Sequence, residues 1–331
     1  MLRRRNLHRA GPLSFEPWPE LPLAAWAETR DTLHLWTQIV GKVRLVQTPW
    51  INHAWHCTLY VTSRGLTTSP IPHGERVFQI DFDFIDHVVL VTTVEGERET
   101  MVLRPRTVAS FYQELMGILK DLGLPVTIHP HAAEIPGETI DLSQDTRHTS
   151  YDPEYAQRFW RALASSDRVL QRLRSPFQGK ASPVHFFWGS FDLSLTLFPG
   201  RSMTPMDFKQ PHMPTYVTRD ASIHEQAAFG FWPGTPWGPW KDAAFYAYSI
   251  PKPDGFETAK IRPAAAIYPP ELGEWVLPYD AMRRSKDPDG ELLSFLEDTY
   301  GAAADLGGWD RKALERMKEL PPRLDAGKTV R

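Results

Sequence analysis

Leu23, Trp26, Leu33, Trp36 and Val40 recur at intervals of three, four and seven residues, with Arg30 and Thr37 between them. That spacing puts one apolar stripe on a helix. Gly41 is expected to end this helix, because glycine takes the left-handed cap at least cost. Residues 42–47 then read as a short strand, and residues 56–62, rich in aromatic and β-branched side chains, as a second. The clearest alternation is at 77–84. Phe78, Ile80, Phe82 and Phe84 share one face, while Gln79, Asp81 and Asp83 share the other. Residues 87–93 and 99–103 flank Glu95-Gly96, a hairpin turn signal. Helical spacing returns through Val108, Phe111, Leu115, Ile118 and Leu122 and stops at Gly123. Residues 126–129 are expected to add an edge strand. The links between most of these strands are too short for a crossover helix, which favours antiparallel pairing.

The same order then recurs. Tyr155, Phe159, Ala162, Ser166, Leu170 and Leu173 stripe a second helix, and Gln178-Gly179-Lys180 echoes Val40-Gly41-Lys42. Residues 184–188 and 191–198 read as strands. In the latter, Leu193, Leu195 and Leu197 alternate with Asp192, Ser194 and Thr196. Residues 229–232, 243–249, 264–268 and 274–277 are further strand candidates. A closing helix spans 292–304, and Asp310 is expected to cap a last helix through Leu320. The expected fold is α+β: antiparallel sheets with flanking helices, built from an internally duplicated helix–strands–helix unit. The corresponding division is a flexible segment at 1–17, a first half at 18–135, a connector at 136–150, a second half at 151–309, and a helix and tail at 310–331.

Composition narrows the functional classes. The formal charge is -3, and the basic start MLRRRNLHR is local, so nucleic-acid binding is not expected. No apolar h-region follows that start and no stretch is long and apolar enough to span a bilayer, so neither secretion nor a membrane is expected. The single cysteine, Cys57, excludes an intrachain disulfide and a cysteine zinc cluster and points to the cytoplasm. The 12 Trp and 30 Pro argue for an ordered chain with many specified loops.

Several long words are distinctive: HLWTQIVGK at 34–42, NHAWHCTLYVTSRGLTTSPIPHG at 52–74, FDFIDH at 82–87, SYDPEYAQRFWR at 150–161, SPVHFFWGSFDLSLT at 182–196 and GFWPG at 230–234. Together, from about Trp18 to Trp309, the chain resembles the DUF5996 family of bacterial proteins. The resemblance implies one full-length unit. The family carries no assigned activity or cofactor, so no site residue is transferred from it.

Candidate chemistry rests on side-chain type. His53 and His56 can converge if Pro49 starts a turn, but would point apart on a straight strand. With His185 as a third ligand they compose a divalent-metal candidate, in which Glu225 would move a proton from bound water. Without metal, His53 or His224 is a general-base candidate. His185, Ser190 and Asp192 have triad chemistry but no nucleophile elbow. Trp55, Trp188 and Trp232 are candidate apolar walls, His185 and Asp192 candidate polar ligand groups, and Arg104 a candidate anion contact. The Trp/Pro/Gly-rich segment 231–240 has three competing roles: capping the core, lining a pocket or binding a protein surface. The reading favoured here is a small-molecule-binding protein with a polar and aromatic pocket between the halves. The alternatives are an interaction scaffold using the tryptophan loop and a metal-dependent hydrolase.

Overall fold

The computed structural model describes residues 16–137 and 139–316. The expected flexible start therefore lies almost wholly outside the described residues, as do Leu320 and the tail.

The chain opens with α1 (Leu23–Gln47), which leads through a 3-10 turn at Asn52–Ala54 into β1 (Tyr60–Val61), β2 (Gly65–Thr67), β3 (Ile71–His73), β4 (Arg76–Asp83), β5 (Val88–Thr93) and β6 (Arg98–Val102). Then comes α2 (Val108–Asp121). Its N-cap is Thr107, whose hydroxyl accepts from the Ser110 amide. The second pass runs α3 (Pro153–Arg174), β7 (Lys180–Ala181), β8 (His185–Phe187), β9 (Asp192–Phe198), α4 (Thr215–Ala221), β10 (Gln226–Trp232), β11 (Ala244–Ile250) and β12 (Trp275–Pro278). It closes with α5 (Tyr279–Arg283), α6 (Pro288–Leu306) and α7 (Arg311–Leu314). Asp152 caps α3 ahead of Pro153, and Asp287 caps α6 ahead of Pro288; proline suits the first helical turn, where no amide donor is needed. Asp310 caps α7 through the Ala313 amide, as expected, but the helix ends at Leu314, where Glu315 is extended, and does not run on toward Leu320. Among the described residues no helix is long and apolar enough to cross a membrane.

Both sheets are six-stranded and antiparallel. They share a wiring diagram. β3 pairs with the start of β4 and β2 with its end; β8 pairs with the start of β9 and β7 with its end. The meander β4-β5-β6 matches β9-β10-β11, to which the second sheet adds β12. The duplicated α+β unit read from the sequence is thus the architecture found. Leu59 and Phe186 exchange two backbone hydrogen bonds, at 2.9 and 2.7 Å, and so stitch the sheets edge to edge. The apolar core is continuous through both halves.

Several local expectations fail. Gly41 does not end α1: the helix continues to Gln47, and there is no strand at 42–47. Gly41 lies in the helix interior because the Trp188 indole lies against it; a Cβ there would come within 2.2 Å of the ring. Residues 126–129 are not a strand, and of 264–268 only Ile267 makes a bridge, to Val276. Finally, α1 is not amphipathic against solvent. From Thr29 to Arg44 all but Asp31 are buried, including Arg30, His34, Gln38, Lys42 and Arg44. Buried polar groups need partners, and a cavity beside α1 supplies the setting for several of them.

Candidate functional site

Alternation in the second sheet produces two unlike faces. Leu193, Leu195 and Leu197 of β9, Phe229 and Phe231 of β10, and Phe245 and Ala247 of β11 are at most 1 % exposed, and α3 and α6 pack against these strands. The opposite face carries Asp192, Ser194 and Thr196, then Gln226, then Tyr246 and Tyr248, with Glu274 just before β12. A polar sheet face ordinarily meets water. Here it is roofed by α1, by the turn at 52–55, by the segment 129–134 and by residues 208–218, which leave a cavity of about 960 Å³.

Asp192 is the hub. Ser190 and Tyr246 donate hydrogen bonds to its two carboxylate oxygens, the second at 2.5 Å. Gly230 makes this possible, because a Cβ there would lie 2.4 Å from the Tyr246 hydroxyl and 2.2 Å from the Leu193 carbonyl. Burial pushes the Asp192 carboxyl up despite both donors. Two further carboxyl groups line the cavity. Burial, then the nearby Asp192 charge, pushes Glu134 up to about 8 and Glu274 up to about 7. Neither side chain makes a hydrogen bond or ion pair with another described residue. Glu134 has the left-handed φ of 61°, uncommon outside glycine. It is held there by its amide on the Pro211 carbonyl, 2.8 Å, and by Gln38, whose amide bonds both backbone groups of Ala133 at 2.8 Å.

The cations on the cavity wall are engaged elsewhere. Arg30 pairs with Asp31 at 2.5 Å and lies over the Trp237 and Phe191 rings. Lys42 lies over Trp188, 5.5 Å from its centroid, and burial lowers its ammonium to about 8. His34 stacks on Phe191, and its Nε2 is 2.9 Å from the Gly189 carbonyl. The Gln38 amide nitrogen lies farther from Nε2, at 3.2 Å, and donates to the Ala133 carbonyl at 2.8 Å; the nearer Gly189 carbonyl only accepts, so Nε2 carries the proton and Nδ1 is a bare acceptor without a partner. Burial holds this imidazole at about 3, hence neutral. Cys57, also on the wall, is pushed up to about 12 by burial, a poor nucleophile.

The residues singled out from sequence divide. His53, Trp55, Trp188, Asp192 and Trp232 line the cavity, and Trp237 and Trp240 join them. His56, His185, His224, Glu225 and Arg104 do not. His53 stands in the expected turn with φ 60°, its amide donating to Asp220 at 2.7 Å. Its Nδ1 donates to the Ala221 carbonyl at 3.1 Å, so its Nε2 accepts from His224 Nδ1 at 3.3 Å. Burial, then Lys180, lowers His53 to about 4. His56 lies instead against Trp50, 4.6 Å between centroids. His185 is buried among Trp55, Tyr60 and Phe187 with neither nitrogen partnered. His224 and Glu225 are not a working pair, because Glu225 points to Arg201 at 2.5 Å; neighbours on an extended segment face apart. Arg104 is exposed ahead of α2. Among the described residues no group of three or more His, Cys, Asp or Glu is arranged to hold a metal ion.

Sequence reasoning missed Glu134, Glu274, Tyr246, Tyr248, Arg30, His34 and Lys42. Alternation in Ala244–Ile250 already sets Tyr246 and Tyr248 on the face opposite Phe245 and Ala247, and that signal was available. Glu134 and Glu274 lie outside regular elements, where no periodicity marks them.

No curated protein and no solved structure matches the chain. The model of a family of unknown function, DUF5996, matches residues 18–316, and the chain belongs to that family.

Proposed function

We propose that this protein binds a small organic molecule in the cavity between α1 and the polar face of the second sheet. The observation that supports this best is the burial of that face. A sheet surface bearing Asp192, Ser194, Thr196, Tyr246 and Tyr248 is costly to remove from water unless something polar completes it. The cavity has the size of small-molecule sites, which are concave and mostly apolar with a few convergent polar groups. Its wall follows that pattern: tryptophans supply the apolar area and the carboxyl groups the polar points. Glu134 at about 8 and Glu274 at about 7 are also poised near neutrality, which suits proton transfer to or from a bound substrate.

The test is a thermal-shift and native mass-spectrometry screen of chemically diverse small molecules, repeated on Thr196→Trp. Thr196 lines the cavity and is half-buried, so an indole there is expected to fill open space rather than disturb the core. Ligands should stabilise the parent protein and lose most of that effect in the variant, while the variant's circular dichroism stays unchanged. Ligands that bind both proteins equally, or a screen without any binder, would remove the reading.

A further inference from the structure

We propose that the ligand of this cavity is an organic ammonium ion, an amine carrying an apolar or aromatic body, seated with its charged group against Glu134, Asp192 and Glu274. The inference rests on the cavity-binding reading and adds the chemical class.

The first support is unmatched charge. Asp192 is held by two hydroxyl groups, and Glu134 and Glu274 have no partner among the described residues. Each of the latter is pressed by Asp192 and by no cation. The cations that line the same cavity cannot supply the balance. Arg30 is paired with Asp31 and covered by two rings. Lys42 sits on Trp188, and the ionisable group that acts on it is Cys57. Ionisation of these carboxyl groups therefore needs a counter-charge that the wall does not supply and a cationic ligand would.

The second support is independent of charge. Two further residues on the wall, His34 and Thr235, are each 2 % exposed, and His34 Nδ1 and Thr235 Oγ1 have no hydrogen-bond partner. His34 Nδ1 is an acceptor only, because Nε2 carries the proton. A buried polar atom without a partner is costly. The open positions are thus mostly acceptors: two carboxyl groups, one imidazole nitrogen and a hydroxyl. An ammonium group offers three donors and no acceptor, which is the complementary set. The other unpartnered nitrogens on the wall are Arg30 Nε, which belongs to the guanidinium already lying over Phe191 and Trp237, and His131 Nδ1, which donates or accepts according to its tautomer. Trp188, Trp232 and Trp240 provide surface for the body of the amine, and aromatic faces attract cations.

Binding should be linked to protons. The titratable groups on the cavity wall are Glu134, Asp192 and Glu274, the tyrosines of β11, Cys57, Arg30, His34 and Lys42 of α1, His53 of the turn, and His129, His131, His212 and Tyr216 of the roof. Of these, Glu134 near 8 and Glu274 near 7 change state around neutrality when the cavity is empty. A cation favours their ionised forms, so binding releases protons and tightens as pH rises through about 7 to about 8.

Isothermal titration of the full chain with tryptamine, its neutral isostere tryptophol and the anion indole-3-acetate separates the outcomes, with benzylamine and 1,5-diaminopentane as amines of other sizes. At least one amine should bind; if it is tryptamine, it should bind about tenfold or more tighter than tryptophol. Indole-3-acetate should be weakest. Proton release should appear as a buffer-dependent heat. Glu134→Gln and Glu274→Gln, made separately, should each shrink the preference for the amine while the protein stays folded. Neutral ligands that bind as well as amines and still respond to Thr196→Trp would overturn the ammonium assignment and leave the cavity reading intact. So would an amine preference unmoved in both glutamine variants. Absence of any binder, whatever its charge, would overturn both.

Discussion

Glu134 concentrates the tension of the site in one residue. Its carboxyl holds its proton up to about 8 in the folded chain, against an ordinary value of 4.5. Between those values the folded chain keeps a proton that the unfolded chain has lost, so this residue's contribution to stability falls as pH rises from about 4.5 to about 8. Glu134→Gln removes the titration while keeping size and shape. The variant should match the parent near pH 4 and exceed it above pH 8, by an amount on the order of 1–3 kcal/mol after allowing for water in the cavity. Thermal melts of both proteins across that range measure it, and parallel curves would mean that the carboxylate is not under pressure. His34 and His185 act at the other end of the scale. Burial holds each at about 3, below the ordinary 6.5. Their neutral forms are at home in the fold above about 6.5, and that contribution is lost as pH falls toward about 3.

At the scale of elements, α1 shows where sequence reading succeeds and where it stops. The stripe from Leu23 to Val40 is a true helical signal, and the alternation in β4 and β9 gave those strands with nearly the right bounds. What periodicity does not carry is the environment of the second face. Polar alternation such as Asp192, Ser194 and Thr196 usually marks a solvated face, and nothing in the alternation shows that here a roof of distant segments buries it. Gly41 was misread for a related reason. Glycine after a helical stripe is a stop signal in isolation, whereas here it lets the Trp188 indole approach the helix axis, with Trp188 Nε1 donating to the Cys57 carbonyl at 2.7 Å. Gly41→Ala tests that account. Alanine favours a helix interior by about 1 kcal/mol over glycine. The collision with a packed indole should cost more, leaving a net loss of about 1–3 kcal/mol. The loss should shrink when Trp188 is also changed to Phe, a coupling that a double-mutant cycle in urea reads directly. Additive effects would show that the glycine serves something other than the ring.

The whole molecule bears on whether the two passes behave as separate domains, as their repeated wiring invites. Their contacts argue that they do not. Trp18, from the segment leading into the first pass, packs edge-on against Phe245 and Tyr279, at 6.0 and 6.2 Å between centroids, and donates to Asp289 at 2.9 Å. Tyr279 returns the contact through the Pro19 carbonyl at 2.7 Å. Trp160 donates to the Thr62 carbonyl at 2.9 Å, and His34 reaches across to Gly189. Each of these is a buried or half-buried polar group whose partner belongs to the other pass, so parting the passes would orphan them all at once as well as expose both sides of α1. Unfolding should therefore be a single cooperative event. Urea melts followed by tryptophan fluorescence and by far-ultraviolet circular dichroism should coincide, and residues 18–135 expressed alone should lack a cooperative transition. Two resolved transitions, or a first half that melts cooperatively on its own, would mean that the contacts join finished domains. A single transition would place the cavity inside one folding unit, so that a ligand bound against Asp192 stabilises the whole chain and its effect is legible in any global melt.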